Sequence, residues 1–422
     1  MVKTFLNAFR VADIRKKLAF TAGMLLLYRV GAYIPAPGIN IDAVDQIQKN
    51  FSGSNVLGFL NLFSGGSLQR FAIFALGIMP YITASIILQL LQVVVPSLDK
   101  LRKEGEVGQQ KITQYTRYLT VGLALAQSIG YVFLFRTFSA GSADVVEDFT
   151  FGRVMVIVVT LTAGTVLVMW LGELITQRGI GNGISLMIFA SIVSRLPQGV
   201  SAWWNSSDQV FKLMMPFLAV AVIVAVVFIQ EGQRRIPVQY AKRVVGRRMS
   251  GGGSTYLPLR VNMAGVIPVI FAASLMAFFP TVGELTQAGW ARDVSAFFDF
   301  RKAPYLIGET VFIVLFTYFY TAVTFHPVEQ ADNLKKYGGF IPGVRPGRPT
   351  AEYLDRILAR LTFPGALYLG AVAALPTVLT NQTAANFAFG GTSLLIVVGV
   401  ALDTMKQVEA QLMMRNYEGF LK

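Results

Sequence analysis

Two kinds of residue in this chain could do chemistry: closely spaced glycines, which let backbone amides cradle a phosphate, and clustered cations, which attract anions. "RGIGNGIS" at 178–185 has glycine spacing like that of a dinucleotide-binding turn. That chemistry needs a strand ahead of the turn. Here the glycines open directly into an apolar run, so a tight turn capping a membrane helix is the better reading. No GxxxxGK followed by Ser or Thr occurs, so the chain is not expected to hydrolyse ATP itself. Cysteine is absent and the one histidine, His326, sits beside Pro327 at the end of an apolar run. A zinc site wants about three or four donors, so no metal, disulfide or thiol chemistry is expected. The N-x-S/T matches at Asn205 and Asn381 are short enough to be chance.

The remaining candidates are ionisable groups inside apolar runs, where transporters hold their ions. Glu173, Lys212, Glu309 and Asp403 fall near run ends, and the middles hold only Gln89, Gln127, Asn262 and scattered Ser and Thr. An ion-coupled solute transporter would need converging charges at mid-depth, and a membrane-embedded enzyme would need a catalytic pair there. The empty middles speak against both classes.

Elements that could position any of these residues must suit lipid. The chain is 54% hydrophobic and 14% charged over 422 residues, with a mean hydropathy of +0.55. A bilayer needs about 20 mostly apolar residues per helix. Runs near that length lie at 18–34, 72–95, 118–138, 154–172, 183–204, 211–229, 261–280, 305–323, 361–380 and 387–405. Unalternating apolar runs predict helices rather than a barrel, so the fold class is all-α, with ten transmembrane helices. Most of the 37 Lys and Arg fall in segments on one side, the side shared by both termini. Both ends are therefore expected in the cytoplasm. The basic start carries no small-residue cleavage site and reads as a mature first span.

Two cytoplasmic connections, 231–260 and 326–360, are far longer than the roughly 2–8 residues of ordinary helix connections. "EGQRRIPVQYAKRVVGRRMSGGGSTYLPLR" predicts a protruding basic hairpin. "KKYGGFIPGVRPGRPT" carries Pro342, Pro346 and Pro349 with Gly343 and Gly347, predicting a stiff loop that presents Arg345 and Arg348. Such protrusions suit anionic headgroups, RNA phosphate or an acidic protein surface. The second span carries Gly77 and Pro80, and proline removes a helix hydrogen bond, so the span is expected to break there. Ahead of the break, "FLNLFSGGSLQRF" (59–71) turns at Gly65 and Gly66 and carries Arg70. Residues 62–74 read as a re-entrant half-helix or, alternatively, an interfacial surface helix. Central prolines in "GIMPYI" and "GVIPVI" suggest a five-plus-five internal symmetry.

"FALGIMPYITASIILQLL", "GIGNGISLMIFA", "RRIPVQYAKRVVGRR", "VNMAGVIPVIFAASL", "GGFIPGVRPG" and "GTSLLIVVGVALDT" run in order along nearly the whole chain. Together they resemble the SecY/Sec61 alpha family, the central subunit of protein-translocating channels. The resemblance implies two inverted pseudo-symmetric halves, 1–196 and 197–422, around an hourglass pore. It implies a pore ring of Ile78, Ile82, Ile184, Ile188, Ile270 and Ile396, and a plug over about 61–75 that includes Asn61, Gly65, Gly66, Arg70 and Phe71. Thr83, Gln89, Asn262 and Phe278 match its lateral gate. Arg247, Arg248, Arg345, Pro346 and Gly347 match its contacts for the ribosome, through rRNA, and for the SecA ATPase. The "GGGS" at 251–254 departs locally from the pattern and leaves the loop tip open. The implied function is passive conduction of unfolded secretory polypeptides across a bacterial cytoplasmic membrane, with hydrophobic segments released sideways into lipid. Signal sequences, nascent chains, membrane lipids and SecE and SecG subunits are the further partners implied, and no cofactor is.

Overall fold

The computed structural model describes residues 11–40, 44, 64–138, 146, 149–205, 209–240, 243–245, 248–250, 254–286, 289–298, 302–382 and 391–420. Each of the ten apolar runs carries a helix. In chain order the helices are α1 (Ala12–Gly31), α2 (Met79–Val94), α3 (Pro96–Lys103), α4 (Glu106–Phe138), α5 (Phe151–Arg178), α6 (Gly183–Val193), α7 (Leu196–Trp204) and α8 (Gln209–Glu231). After the strands come α9 (Ile267–Thr286), α10 (Gly289–Phe297), α11 (Ala303–Thr324), α12 (Pro327–Lys336), α13 (Arg348–Gln382) and α14 (Gly391–Phe420). Five helices among the described residues are long and apolar enough to cross a bilayer, or six if one bent pair counts as a span. Along α8 the large side chains Leu213, Phe217 and Phe228 are exposed, a surface that lipid covers and water does not tolerate.

Packing divides the chain into two compact units. Unit 1 is Met1–Asn205, Ser274–Tyr305 and Val400–Lys422; unit 2 is Ser206–Ala273 and Leu306–Gly399. In unit 1, α4 packs between α2 and α5, and α5 packs on α6. Asn182 caps α6, its side chain accepting from the amides of Ile184 (3.1 Å) and Ser185 (3.4 Å). A Cβ at Gly183 would run into the carbonyl oxygen of Gly172, so glycine is what lets α6 lie against α5. The glycine cluster is thus a capping turn, as expected. Where Arg178 leads out of α5, Ile180 joins Ile14, Val408 and Leu412 in a small apolar core.

Unit 2 contains the basic hairpin. Strand β1 (Gln233–Tyr240) pairs antiparallel with β4 (Ser254–Arg260), from Gln233 opposite Arg260 to Gln239 opposite Ser254. Farther out, β2 (Arg243–Val245) pairs with β3 (Arg248–Ser250). A strand not foreseen from sequence, β5 (Gly339–Phe340), adds to the free edge of β1 and gives the order β4-β1-β5. Alternation along β1 buries Ile236 and Val238, which pack with Leu259, Ile341, Leu354 and Leu358. The hairpin is therefore rooted in an apolar core with its cationic face outward.

The stretch 326–360, read from sequence as one long loop, is mostly helical. Pro327 starts α12 and Pro349 falls in the first turn of α13, positions where a missing amide costs nothing. Only His326 and residues 337–347 lie outside a helix.

Candidate functional site

Residues 64–78 correct one expectation: they run through consecutive turns, with no half-helix, until α2 begins at Met79. The cause is local. Gly65, Gly66, Phe71 and Gly77 all have positive φ (66°, 91°, 48° and 57°), and each such residue breaks a right-handed helix. Pro80 then sits in the first turn of α2, so the expected break at Gly77 and Pro80 is a helix start. The same run bends again by 99° between α2 and α3, because Pro96 holds Val95 extended (φ −98°, ψ 111°).

The turn chain is bound to the rest of unit 1 at both its flanks. On the α1 side, Arg29 Nη1 donates to the Gly65 carbonyl (2.6 Å) and Nη2 to the Tyr33 hydroxyl (2.9 Å). The amide of Ala36 donates to Phe71 O (2.8 Å) and that of Ile73 to Ile34 O (2.9 Å), around a Pro35–Ala72 bridge. Phe74 stacks on Tyr28 at 5.9 Å, and the Tyr28 hydroxyl shares a 2.7 Å hydrogen bond with Ser191 of α6. At the α6–α7 corner, Arg195 Nη2 donates to Gln69 Oε1 (3.0 Å). Arg70 lies 3.9 Å over the Tyr33 ring. Leu68, Phe71, Ala75 and Leu76 bury themselves in an apolar cluster of unit 1 with Ile157 and Leu161 of α5.

At the end of this segment Ile78 and Ile82 are one helical turn apart and both buried; Ile188 is buried and Ile184 half-buried on α6. In unit 2, Ile270 and Ile396 are buried. Thr83 donates to Met79 O (3.0 Å), and Gln89 Nε2 lies 3.4 Å from Ser85 Oγ. Asn262 Nδ2 donates to Gly265 O (2.9 Å). Gln89 Oε1 and Asn262 Oδ1 are both buried acceptors without a donor among the described residues. The backbone of Phe278 lies in α9; its side chain, Asn61, Arg247, the side chain of Arg248 and residues 251–253 fall outside the described residues.

The cationic surface of unit 2 has two parts. Arg234 and Arg235 are exposed on β1. Arg345 is exposed in a turn whose glycines, Gly343 (φ 82°) and Gly347 (φ 99°), hold conformations that L side chains rarely adopt. Thr350 Oγ1 donates to the Arg345 carbonyl (2.8 Å) and pins the turn to the start of α13. Exposed Arg348 pairs with Glu352 (3.1 Å), whereas Arg345 makes no ion pair among the described residues.

Sequence reasoning missed several of these residues. Arg195 lies in the middle of run 183–204 and corrects the expectation that the run middles carry no charge, whereas Arg29 and Tyr33 lie toward the end of run 18–34, where a cation ordinarily sets topology. Glu173, placed near a span end, instead forms a two-pronged pair with Arg117: Nε to Oε1 at 2.9 Å and Nη2 to Oε2 at 2.6 Å, joining α5 to α4. Glu309, also near a span end, is buried in α11. The lone His326 stands at the N-cap of α12.

Long apolar helices, an interrupted span entered by a turn chain and a basic hairpin on an apolar root define a polytopic α-helical membrane protein. Its family is decided by comparison: the SecY family model matches residues 72–405, and the chain belongs to that family. It is 50% identical over 442 residues to the protein translocase subunit SecY of Mycobacterium bovis, and 52% identical over 441 residues to that of Streptomyces griseus, each match covering 100% of both chains. Among solved structures it resembles a SecY whose plug domain stabilises the closed state of the translocation channel (TM-score 0.61, 18% identity, 93% of this chain and 91% of that one). It also resembles Sec61 in the canine ribosome–channel complex from the endoplasmic reticulum (TM-score 0.60, 16% identity, 93% and 91%).

Proposed function

We propose that the chain is the pore-forming subunit of a protein-translocation channel in a bacterial cytoplasmic membrane, with both termini cytoplasmic. It passes unfolded secretory polypeptides across the bilayer and releases hydrophobic segments sideways into lipid, and it performs no covalent chemistry. The observation that carries this reading is the turn chain at 64–78, fastened to α1 and to the α6–α7 corner and leading directly into Ile78 and Ile82. In this reading the segment is the resting plug. Hydrogen bonds of about 0.5–1.5 kcal/mol each, from side chains and from the backbone of 34–36, seat it together with the buried side chains of Leu68 and Phe71.

The pore ring takes Ile78, Ile82, Ile184 and Ile188 from the first half of the chain (1–196) and Ile270 and Ile396 from the second (197–422). Aliphatic side chains offer an ion no substitute for its hydration shell, yet yield to a passing chain of any sequence. Thr83, Gln89, Asn262 and Phe278 form the lateral gate, and the donorless oxygens of Gln89 and Asn262 fit surfaces that exchange partners when a signal sequence enters. Arg247, Arg248 and the Arg345–Pro346–Gly347 turn receive rRNA phosphate of the ribosome or acidic groups of the SecA motor, with SecE and SecG as accompanying subunits.

The test is photocrosslinking from Ile82, Ile184 and Ile270 to a secretory chain stalled midway, with Phe217 and Phe228 on exposed α8 as controls. Labelling from the isoleucines supports the channel; labelling confined to the controls refutes it.

A further inference from the structure

Three guanidinium groups meet around one open cleft of unit 1. Arg29 comes from the last turn of α1, Arg70 from the turn chain and Arg195 from the corner before α7, with Gly65, Gln69 and Gln198 completing the wall. None of the three forms an ion pair with Asp or Glu among the described residues. Arg29 spends its two terminal nitrogens on Gly65 O and Tyr33, and Arg195 gives Nη2 to Gln69. Arg70 stacks on Tyr33 and keeps its Nη1 buried with no acceptor among the described residues. Like charges in a partly dehydrated cleft repel more strongly than in water, and a buried donor without an acceptor carries its full desolvation cost. The repulsion is relieved if an anion occupies the cleft.

Planar arginine forks match tetrahedral oxyanions, which accept several charge-assisted hydrogen bonds at once. We propose that this cleft binds one phosphate group. Its oxygens take the outward faces of the Arg29, Arg70 and Arg195 guanidinium groups, and Gly66, where a Cβ would meet nothing within 4 Å, leaves room beside them. The ligand would tie the turn chain to α1 and to the α6–α7 corner together. The binding site stands on its own geometry; its consequence, a more firmly seated plug, rests on the channel reading above.

The purified full-length chain in neutral detergent is titrated with inorganic phosphate, with chloride holding ionic strength constant, and thermal unfolding is followed. A saturable rise in the unfolding midpoint is expected, with Arg70→Gln and Arg195→Gln each needing at least about tenfold more phosphate for half the rise, as loss of one charge-assisted bond implies. Far-UV circular dichroism verifies that the variants are folded. Arg195→Lys keeps the charge and loses the fork, so it weakens binding less than the glutamine variant and serves if glutamine variants fail to accumulate. A second arm extracts the chain from phosphatidylglycerol or phosphatidylcholine vesicles for native mass spectrometry. Phosphatidylglycerol retained by the wild type and lost from Arg195→Gln identifies a lipid headgroup as the source, whereas a response to inorganic phosphate alone identifies the free anion. No saturable response to either probe, or equal responses in wild type and variants, overturns the site. Phosphate binding in a chain that never forms a sealed pore would keep the site and remove the channel.

Discussion

Replacing Gly164 by alanine tests whether the turn chain is a seated plug. Gly164 lies on α5 where a Cβ would fall inside van der Waals contact with the carbonyl oxygen of Ile73, 2.9 Å from its carbonyl carbon and 3.0 Å from its Cγ2. The obstacle is backbone, which cannot swing aside as a side-chain tip can. Ile73 is also fixed from the other side, its amide bonded to Ile34 O at 2.9 Å next to the Pro35–Ala72 bridge. Forcing one extra methyl into a packed contact costs about 1–3 kcal/mol. If the strain is relieved by unseating residues 64–78, the unseated population rises by about 5- to 150-fold. In planar bilayers carrying the purified channel, Gly164→Ala should therefore raise resting ion conductance by a factor in that range. Gly122→Ala is the matched control: its Cβ meets nothing within 4 Å. It should leave conductance unchanged and, in mid-helix, raise stability by up to about 1 kcal/mol. Wild-type conductance and unfolding midpoint in Gly164→Ala would refute the contact, and a lowered midpoint with no leak would refute the role of the segment as a seal.

Arg345→Glu should abolish protein export by inverted membrane vesicles while the variant chain still inserts into the membrane, because the turn is exposed and pinned by its backbone to Thr350; normal export would remove Arg345 from the docking surface. Glu173→Gln leaves Arg117 with a neutral partner and should destabilise the chain by about 1–3 kcal/mol in detergent unfolding, a loss that Arg117→Met in the same chain partly restores if the pair acts as a unit. Asn182→Ala removes both cap hydrogen bonds of α6 and should cost about 1 kcal/mol by the same measurement, with Asn182→Asp retaining most of the stability.

Local chemistry was readable in the sequence wherever a residue's own stereochemistry or the period of its neighbours decided the outcome. The ten apolar runs carry helices, the glycines of 178–185 form the turn that caps one, and the basic connection 231–260 folds as a hairpin. Segment 64–78 shows where local reading ended. Its apolar residues suggested a half-helix, but the left-handed conformation of Phe71, a residue that seldom adopts it, is held by bonds to 34–36 that no local pattern announces. Likewise β5 exists because β1 offers it an open edge a hundred residues away in sequence.

The amino-acid order by itself thus determined that this is a lipid-embedded helical protein with a basic hairpin, since hydropathy and backbone restrictions act within a few residues. Tertiary structure alone decided which polar groups meet: Arg29 reaches Gly65 across 36 positions and Arg195 reaches Gln69 across 126. Three cations in or beside separate apolar runs are unconnected in sequence, and only packing brings them round one cleft, where their shared charge acquires a meaning that none has alone.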